Sequence, residues 1–468
     1  MKPKKIMAII ALSFISACLV AFLLVGARAD RERDLAQLPL PHLSACSSLV
    51  HPRLPQRFRA IYLMAPFTTG QLVVGEIVHD GPLSATRLTL YGVKRGVADF
   101  LVMGDTTYLL PSAETGAKKC AALGDTGWRP LPADWLSDGS RCAGAGPVLR
   151  TPANWWTTPI DPSPSSYWIW SKHSDDTPLR LVFASATDRL AALSRFALSH
   201  QLAFESLERT DLSDIALSCT KATRSNSVTG ATRLAEAIEA MARSPVRADE
   251  AIARLVPTLK YPCVAPVEPL WTQKLALTGL LTPFDSGEDP MPMEVLYDWS
   301  VPGQRSRVFP RGGEVLAHDF LMLQSGGYNV TYKADGAALC APGLPGALRP
   351  DWSQRAPCEC SAQIDTGTSL TPDEPIKILS CPLNAPRIAW AWYTLSGRPT
   401  VFMVTSKLGD EGSRSFAVLD YHQWAEHLPV ARSTFAKPPQ CPDSPVVPAG
   451  MPTTAVPNCR TCHSSPNR

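Results

Sequence analysis

Near its C-terminal end the chain reads Cys459-Arg460-Thr461-Cys462-His463. Two thiols three positions apart, with an imidazole directly after the second, match one edge of a porphyrin. The thiols add to the two vinyl groups, and the imidazole turns back to coordinate the iron. The reading is one covalent haem c on Cys459, Cys462 and His463, with His463 as axial ligand and Met451 as the candidate sixth ligand. The same five letters also admit a plain Cys459–Cys462 disulfide, or a small metal or redox site. A second pair of motifs carries carboxylates, Asp125-Thr126-Gly127 and Asp365-Thr366-Gly367-Thr368-Ser369. Two aspartates sharing one proton across a two-fold axis form an acid–base device. Asn329-Val330-Thr331 is a glycosylation sequon. His318, His422 and His427 have no ligand spacing, and no Walker A loop, dinucleotide glycine pattern, G-x-S-x-G or H-E-x-x-H is present.

The elements that must position these residues come in two copies. Asp99-Phe100-Leu101 with Tyr108 matches Asp319-Phe320-Leu321 with Tyr328, and Cys120-Ala121 with Arg129-Pro130 matches Cys340-Ala341 with Arg349-Pro350. Asp134-Trp135 follows as Asp351-Trp352, Trp168-Ile169-Trp170 as Trp390-Ala391-Trp392, and Cys219 as Cys441. Cys and Trp are rare, so a nearly constant offset carried by them indicates an internal duplication. The first copy holds Cys46, Cys120, Cys142 and Cys219. The second holds Cys263, Cys340, one of Cys358 and Cys360, and Cys441, with Cys381 left to pair with the other member. Exported chains keep such cysteines as disulfides.

The N-terminus supports export. Lys2, Lys4 and Lys5 precede an uncharged run from Ile6 to Val25, and Ala27-Arg28-Ala29 fits a cleavage site. The run also has the length of an uncleaved membrane anchor, and Ile15-Ser16-Ala17-Cys18 fits a lipoprotein box. All three place the body in a periplasmic or secreted compartment, with membrane contact only through that segment. With 45 Lys+Arg against 42 Asp+Glu, the net charge of +3 gives little general pull on nucleic acid, and no nucleic-acid partner is expected. Hydrophobic residues at 45% exclude a wholly disordered chain.

Short apolar runs bounded by Gly, Pro, Asp and Ser predict antiparallel strands: Gln71–Val78, Thr86–Tyr91, Phe100–Met103, Leu179–Phe183, Glu294–Tyr297, Arg307–Phe309, Phe320–Leu323 and Thr400–Val404. Trp168 with Trp170, and Trp390 with Trp392, alternate at period two, as core packing or as an aromatic-lined cavity wall. Helix is predicted over Thr187–Leu198 and in a connector over Ser225–Val256, where Leu234, Ile238 and Met241 recur on one face. The expected fold is mainly β: two tandem antiparallel, disulfide-bonded repeats, a helical connector and a flexible tail. The expected boundaries are 1–29 for the signal or anchor, 30–222 for repeat 1, 223–256 for the connector, 257–442 for repeat 2 and 443–468 for the Pro-rich tail.

Three resemblances follow from these residues. Cys459 to His463 resembles the attachment site of c-type cytochromes, which implies haem and electron transfer to a redox partner. Tyr297-Asp298-Trp299, Arg305, Arg307, Phe320, Tyr328 and Cys340 resemble ependymin-like and LolA-like proteins over residues 290–345. That implies a curved antiparallel sheet around an apolar cavity and a lipid-like ligand. The first copy departs from it, with His79-Asp80-Gly81 in place of Tyr-Asp-Trp. The D-T-G motifs resemble the active site of pepsin-like aspartic proteases, but in the duplication Asp125 aligns with Pro345 and not with Asp365, and Trp128 stands where a small residue belongs. The functional expectation is an exported haem-bearing redox accessory with two binding repeats. The alternative is a non-enzymatic binding module for an apolar ligand or protein partner, its tail motif a disulfide; an aspartic protease is a distant third.

Overall fold

The computed structural model describes residues 38–46, 51–66, 72–92, 96–111, 119–126, 140–159, 166–172, 177–184, 196–220, 248–260, 271–283, 289–324, 326–343, 349–351, 358–366, 374–382, 388–407, 414–427 and 430–441, with single positions between them. They form two large antiparallel sheets. The first is built from β1 (Arg57–Pro66), β2 (Val73–Asp80), β3 (Ala85–Gly92), β4 (Val97–Met103), β5 (Thr106–Leu109), β6 (Ala121–Gly124), β7 (Arg141–Val148), β8 (Thr151–Pro159), β9 (Ser166–Lys172), β10 (Pro178–Ala184) and β11 (Phe196–Ser206). The second contains β12 (Leu259–Lys260), β13 (Lys274–Pro283), β14 (Met291–Asp298), β15 (Gly303–Val308), β16 (Val315–Leu323), β17 (Gly326–Lys333), β18 (Ala338–Gly343), β19 (Glu359–Ile364), β20 (Ile376–Pro382), β21 (Ile388–Thr394), β22 (Pro399–Lys407) and β23 (Arg414–Glu426).

The strand orders are β6-β5-β4-β3-β2-β1-β11-β10-β9-β8-β7 and β12-β19-β20-β21-β22-β23-β13-β14-β15-β16-β17-β18. With the edge strand β12 set aside, the second sheet repeats the first, β13 standing for β1 and β23 for β11. In both, the chain makes a six-strand meander, leaves, and returns as five strands that close against the first. The disulfides repeat as well. Cys46–Cys142 corresponds to Cys263–Cys360, and Cys120–Cys219 to Cys340–Cys441. Cys358–Cys381 belongs to the second sheet alone, the extra partnership expected from the cysteine arithmetic. Five disulfides point to an oxidising, extracytoplasmic location.

The same ion pairs brace both meanders. Arg87 on β3 clasps Asp99 on β4, and Arg305 on β15 clasps Asp319 on β16, each with three guanidinium–carboxylate hydrogen bonds. Asp80 and Asp298 close the next turn alike. Asp80 accepts from Arg57, Thr210 and the Leu83 amide, and Asp298 from Lys274 and from the Ser300 amide and hydroxyl. Burial opposes the charge on Asp80, but those hydrogen bonds hold its carboxyl below the ordinary range. The Arg305 and Arg307 of the family-like motif are therefore bracing residues, Arg307 pairing with Glu294.

Besides helical Arg233, Glu236, Ala237 and Ala240 and the 3-10 turn Arg432–Phe435, two α-helices are described, α1 (Leu212–Cys219) and α2 (Asp249–Leu255). The latter falls within the expected connector. The former is not predicted by the sequence; its two turns are held by buried Leu212, Ala216 and Cys219, the last in the bond to Cys120. The expected helix Thr187–Leu198 is corrected at its end. Phe196–Leu198 opens β11, where Leu198 pairs with Ala65 and Val182, and residues 185–195 lie outside the described residues. Ladder hydrogen bonds to two neighbours override a helical period that only local contacts would support.

One apolar layer holds the sheets together. It combines Leu63, Val74, Val148, Trp155 and Leu179 of the first with Leu280, Ile378, Trp392, Val401 and Met403 of the second, and Ile252 of α2 packs into it. No described helix is long and apolar enough to cross a membrane.

Candidate functional site

At the seam the two repeats contribute different residues to equivalent places. Arg180 pairs with His200 across β10–β11, and Val401 pairs with Asp420 across β22–β23. Leu63 and Leu280 flank His200 and Asp420 on the matching strands β1 and β13. The Arg180 guanidinium donates to both Asp420 oxygens at 2.7 and 2.8 Å, with the pair almost wholly buried. His200 packs on Trp392 with ring centres 4.3 Å apart. Neither His200 nitrogen has a hydrogen-bond partner among the described residues, and burial, with Arg180 nearby, pushes the imidazole well below its ordinary pKa. A β-bulge follows in both repeats, at Leu202 and at His422, where the registers shift. Gly279 is required opposite the second bulge, because a Cβ there would run into the Asp420 carbonyl oxygen.

The opposite face of the second sheet is aromatic. Trp271 packs edge-on against Tyr297 at 5.4 Å, Tyr297 lies parallel to Trp299 at 6.4 Å, and the Arg349 guanidinium sits 5.4 Å from the Trp299 ring centre. The Trp271 indole N–H donates to the Tyr393 hydroxyl at 3.3 Å. Around this cluster Leu281, Phe402, Leu419 and Tyr421 are only half-buried. The Tyr297 hydroxyl is buried and has no hydrogen-bond partner among the described residues. Burial, with Asp351 nearby, pushes that phenol up, so it stays a neutral donor.

The first repeat fills the equivalent face differently. His79 stands where Tyr297 stands, and its Nδ1 is satisfied by the Thr86 hydroxyl at 3.0 Å while its ring packs on Phe58 at 5.1 Å. Phe58, Ala60, Tyr62 and Trp156 complete a smaller buried cluster, with Ile77 and Phe204 half-buried at its border. The second face is larger in aromatics and holds a buried donor with no partner among the described residues, whereas the equivalent residue of the first, His79, is satisfied by Thr86.

Of the residues singled out by sequence, Cys459, Cys462, His463 and Met451 lie outside the described residues. The D-T-G aspartates follow β6 and β19, which are not equivalent strands. Asp365 forms an ion pair with Lys260, and the Thr126 hydroxyl bonds that of Thr107 at 2.6 Å. Asn329 is exposed in β17, and the Thr331 hydroxyl contacts His318 at 3.2 Å. Trp392 belongs to the shared core, while the side chains of Trp168, Trp170 and Trp390 are not among those described. No three His, Cys, Asp or Glu side chains converge as a metal site among the described residues. Sequence reading misses Arg180, His200 and Asp420. The alignment of the repeats itself holds their signal, since a repeat that places His against Asp and Arg against Val breaks its own symmetry in a core position.

No family model matches the chain, and no curated protein matches it. Distant structural matches are found among β proteins. An uncharacterised conserved protein of Thermus thermophilus is 11% identical, with 34% of this chain and 84% of that one covered and a TM-score of 0.24. A DUF1329 family protein of Desulfovibrio piger is 10% identical over 35% of this chain and 90% of that one, with a TM-score of 0.20. The Pseudomonas aeruginosa MucA/MucB complex gives a match at 10% identity over 78% of this chain and 87% of that one, with a TM-score of 0.22.

Proposed function

We propose that this chain is an exported, non-catalytic binding protein whose second repeat holds an apolar ligand and whose first repeat is its scaffold. The observation that carries this reading is the buried Tyr297 hydroxyl, without a hydrogen-bond partner among the described residues, within the half-buried aromatic face. A buried donor without a partner costs about 1–3 kcal/mol, which a ligand offering one acceptor and an apolar body recovers. The ligand class is therefore a largely hydrocarbon molecule bearing a carbonyl, ether or hydroxyl oxygen. The test is organic extraction of protein purified from an exporting host, followed by mass spectrometry. An apolar molecule recovered from the wild type and absent from Trp299→Ala is the expected result; equal recovery from both sinks the assignment.

A second reading is haem at the tail; the cysteine pairing leaves Cys459 and Cys462 for haem or for a disulfide with each other alike. Ten body cysteines are joined to one another, so Cys459 and Cys462 have no body partner left and stand beside His463. That donor set fits haem c, with Cys459 and Cys462 as thioether anchors, His463 as axial ligand and Met451 within reach in sequence as the sixth. Bound haem would supply one-electron transfer, making the protein a redox accessory. Expression in a host that matures c-type haem is expected to give a Soret band lost in Cys459→Ala. A colourless protein whose mass shows the two sulfurs oxidised to each other contradicts it.

A further inference from the structure

A cleft of about 430 Å³ opens at one end of the seam between the sheets, within the size range of small-molecule sites. The first repeat lines it with Leu149 and Arg150 from the β7–β8 turn. The second lines it with Glu374 and Ile376 before and within β20, with Arg398 at the β21–β22 turn, and with His422 from the bulge; Leu38 also borders it. Tyr421 and Trp424 border both this cleft and the aromatic face, while Arg150 and Arg398 border the cleft and not that face, and Leu149 also packs on the shared core.

Two features single it out. The first is local strain. The Arg150 amide donates to the Val148 carbonyl at 2.8 Å across a three-residue turn, and Leu149 at its centre has φ +58. Positive φ in such a turn is rare for a bulky side chain, and hairpin turns that need it normally take Gly or Asn. Here Leu and Arg stand instead, both in the lining of the cleft. The second is charge. The lining carries two guanidinium groups and one carboxylate, and that carboxylate, Glu374, accepts the Ser396 amide at 2.7 Å. Arg398 has no carboxylate partner among the described residues. Burial, opposed by Asp420 and assisted by Arg180, pushes the His422 imidazole down, so it is a neutral hydrogen-bonding group near pH 7.

We propose that this cleft binds a small amphiphilic carboxylate, its headgroup held by Arg150 and Arg398 and its apolar body lying on Leu38, Leu149 and Ile376. The cleft shares Tyr421 and Trp424 with the aromatic face, but Arg150, Arg398, Leu149 and Ile376 are not part of that face. A guanidinium is suited to a carboxylate because its planar fork matches the two oxygens.

The experiment is calorimetric titration of the full mature chain with sodium decanoate, set against acetate and a decyl-trimethylammonium salt. One decanoate per chain is expected, with acetate and the cation at least tenfold weaker. Arg398→Gln, a change at an exposed turn, is expected to weaken decanoate at least fivefold. Leu149→Gly, which removes an apolar wall of the cleft, is expected to weaken decanoate at least threefold while acetate affinity is unchanged. That pairing separates a binding role from a structural one. Trp299→Ala is expected to leave decanoate affinity unchanged. Equal binding of the cation, an undiminished decanoate affinity in Arg398→Gln or Leu149→Gly, or loss of binding in Trp299→Ala would each overturn the proposal.

Discussion

His200 sets the pH response of the seam. Its ring is fully buried against Trp392 and has Arg180 for a neighbour across the strand pair, so the folded molecule keeps it neutral. Above the ordinary imidazole pKa of 6.5 the folded and unfolded states are both neutral, and His200 adds no pH dependence. Below it the unfolded chain takes up a proton that the folded one refuses, so stability falls as the pH drops. His79 and His422, also pushed down by burial, act in the same direction. Denaturant unfolding at about pH 7.5 and about pH 5.5 should show His200→Phe losing less stability than the wild type, by about 1 kcal/mol per pH unit below the imidazole pKa. Equal losses would mean that His200 reaches water or a partner on protonation.

Between elements, the Arg180–Asp420 pair ties β10 to β23. Removing one partner strands a buried charge, so Arg180→Met is expected to cost about 3–5 kcal/mol, whereas Arg180→Met with Asp420→Leu is expected to be near neutral or stabilising. A double-mutant cycle in chemical denaturation measures this, and additive losses would show that the two groups do not act as a pair. The same elements show what is legible in sequence. The strand runs, the duplication and the cysteine partition are readable, because alternation and rare residues survive divergence between repeats. Spacing alone does not divide Cys358 from Cys360; strand register does, by putting Cys360 beside Cys263. The ion pair is not readable, because no local pattern announces a contact between residues 240 positions apart. The Tyr297 face is half readable. Tyr297-Asp298-Trp299 stands out as a motif, but an unsatisfied hydroxyl is a fact of three-dimensional surroundings. The end of Thr187–Leu198 misleads because its periodicity also suits a strand that pairs on both sides.

Across the whole molecule, the two repeats share one topology and differ at equivalent positions. In the first, His79 is satisfied by Thr86; in the second, the equivalent Tyr297 carries a buried hydroxyl with no partner among the described residues, within a larger aromatic cluster that includes Trp299. That asymmetry is the central claim, and a neutral probe tests it without interference from the charged cleft. Fluorescence titration of the purified protein with N-phenyl-1-naphthylamine is predicted to show one saturable site. Trp299→Ala and Phe402→Ala should each weaken it about tenfold, consistent with the roughly 1.5 kcal/mol that an aromatic contact of this size contributes. Phe204→Ala, on the matching face of the first repeat, should leave it unchanged. Absence of saturable binding, or an equal loss from Phe204→Ala, would contradict the account.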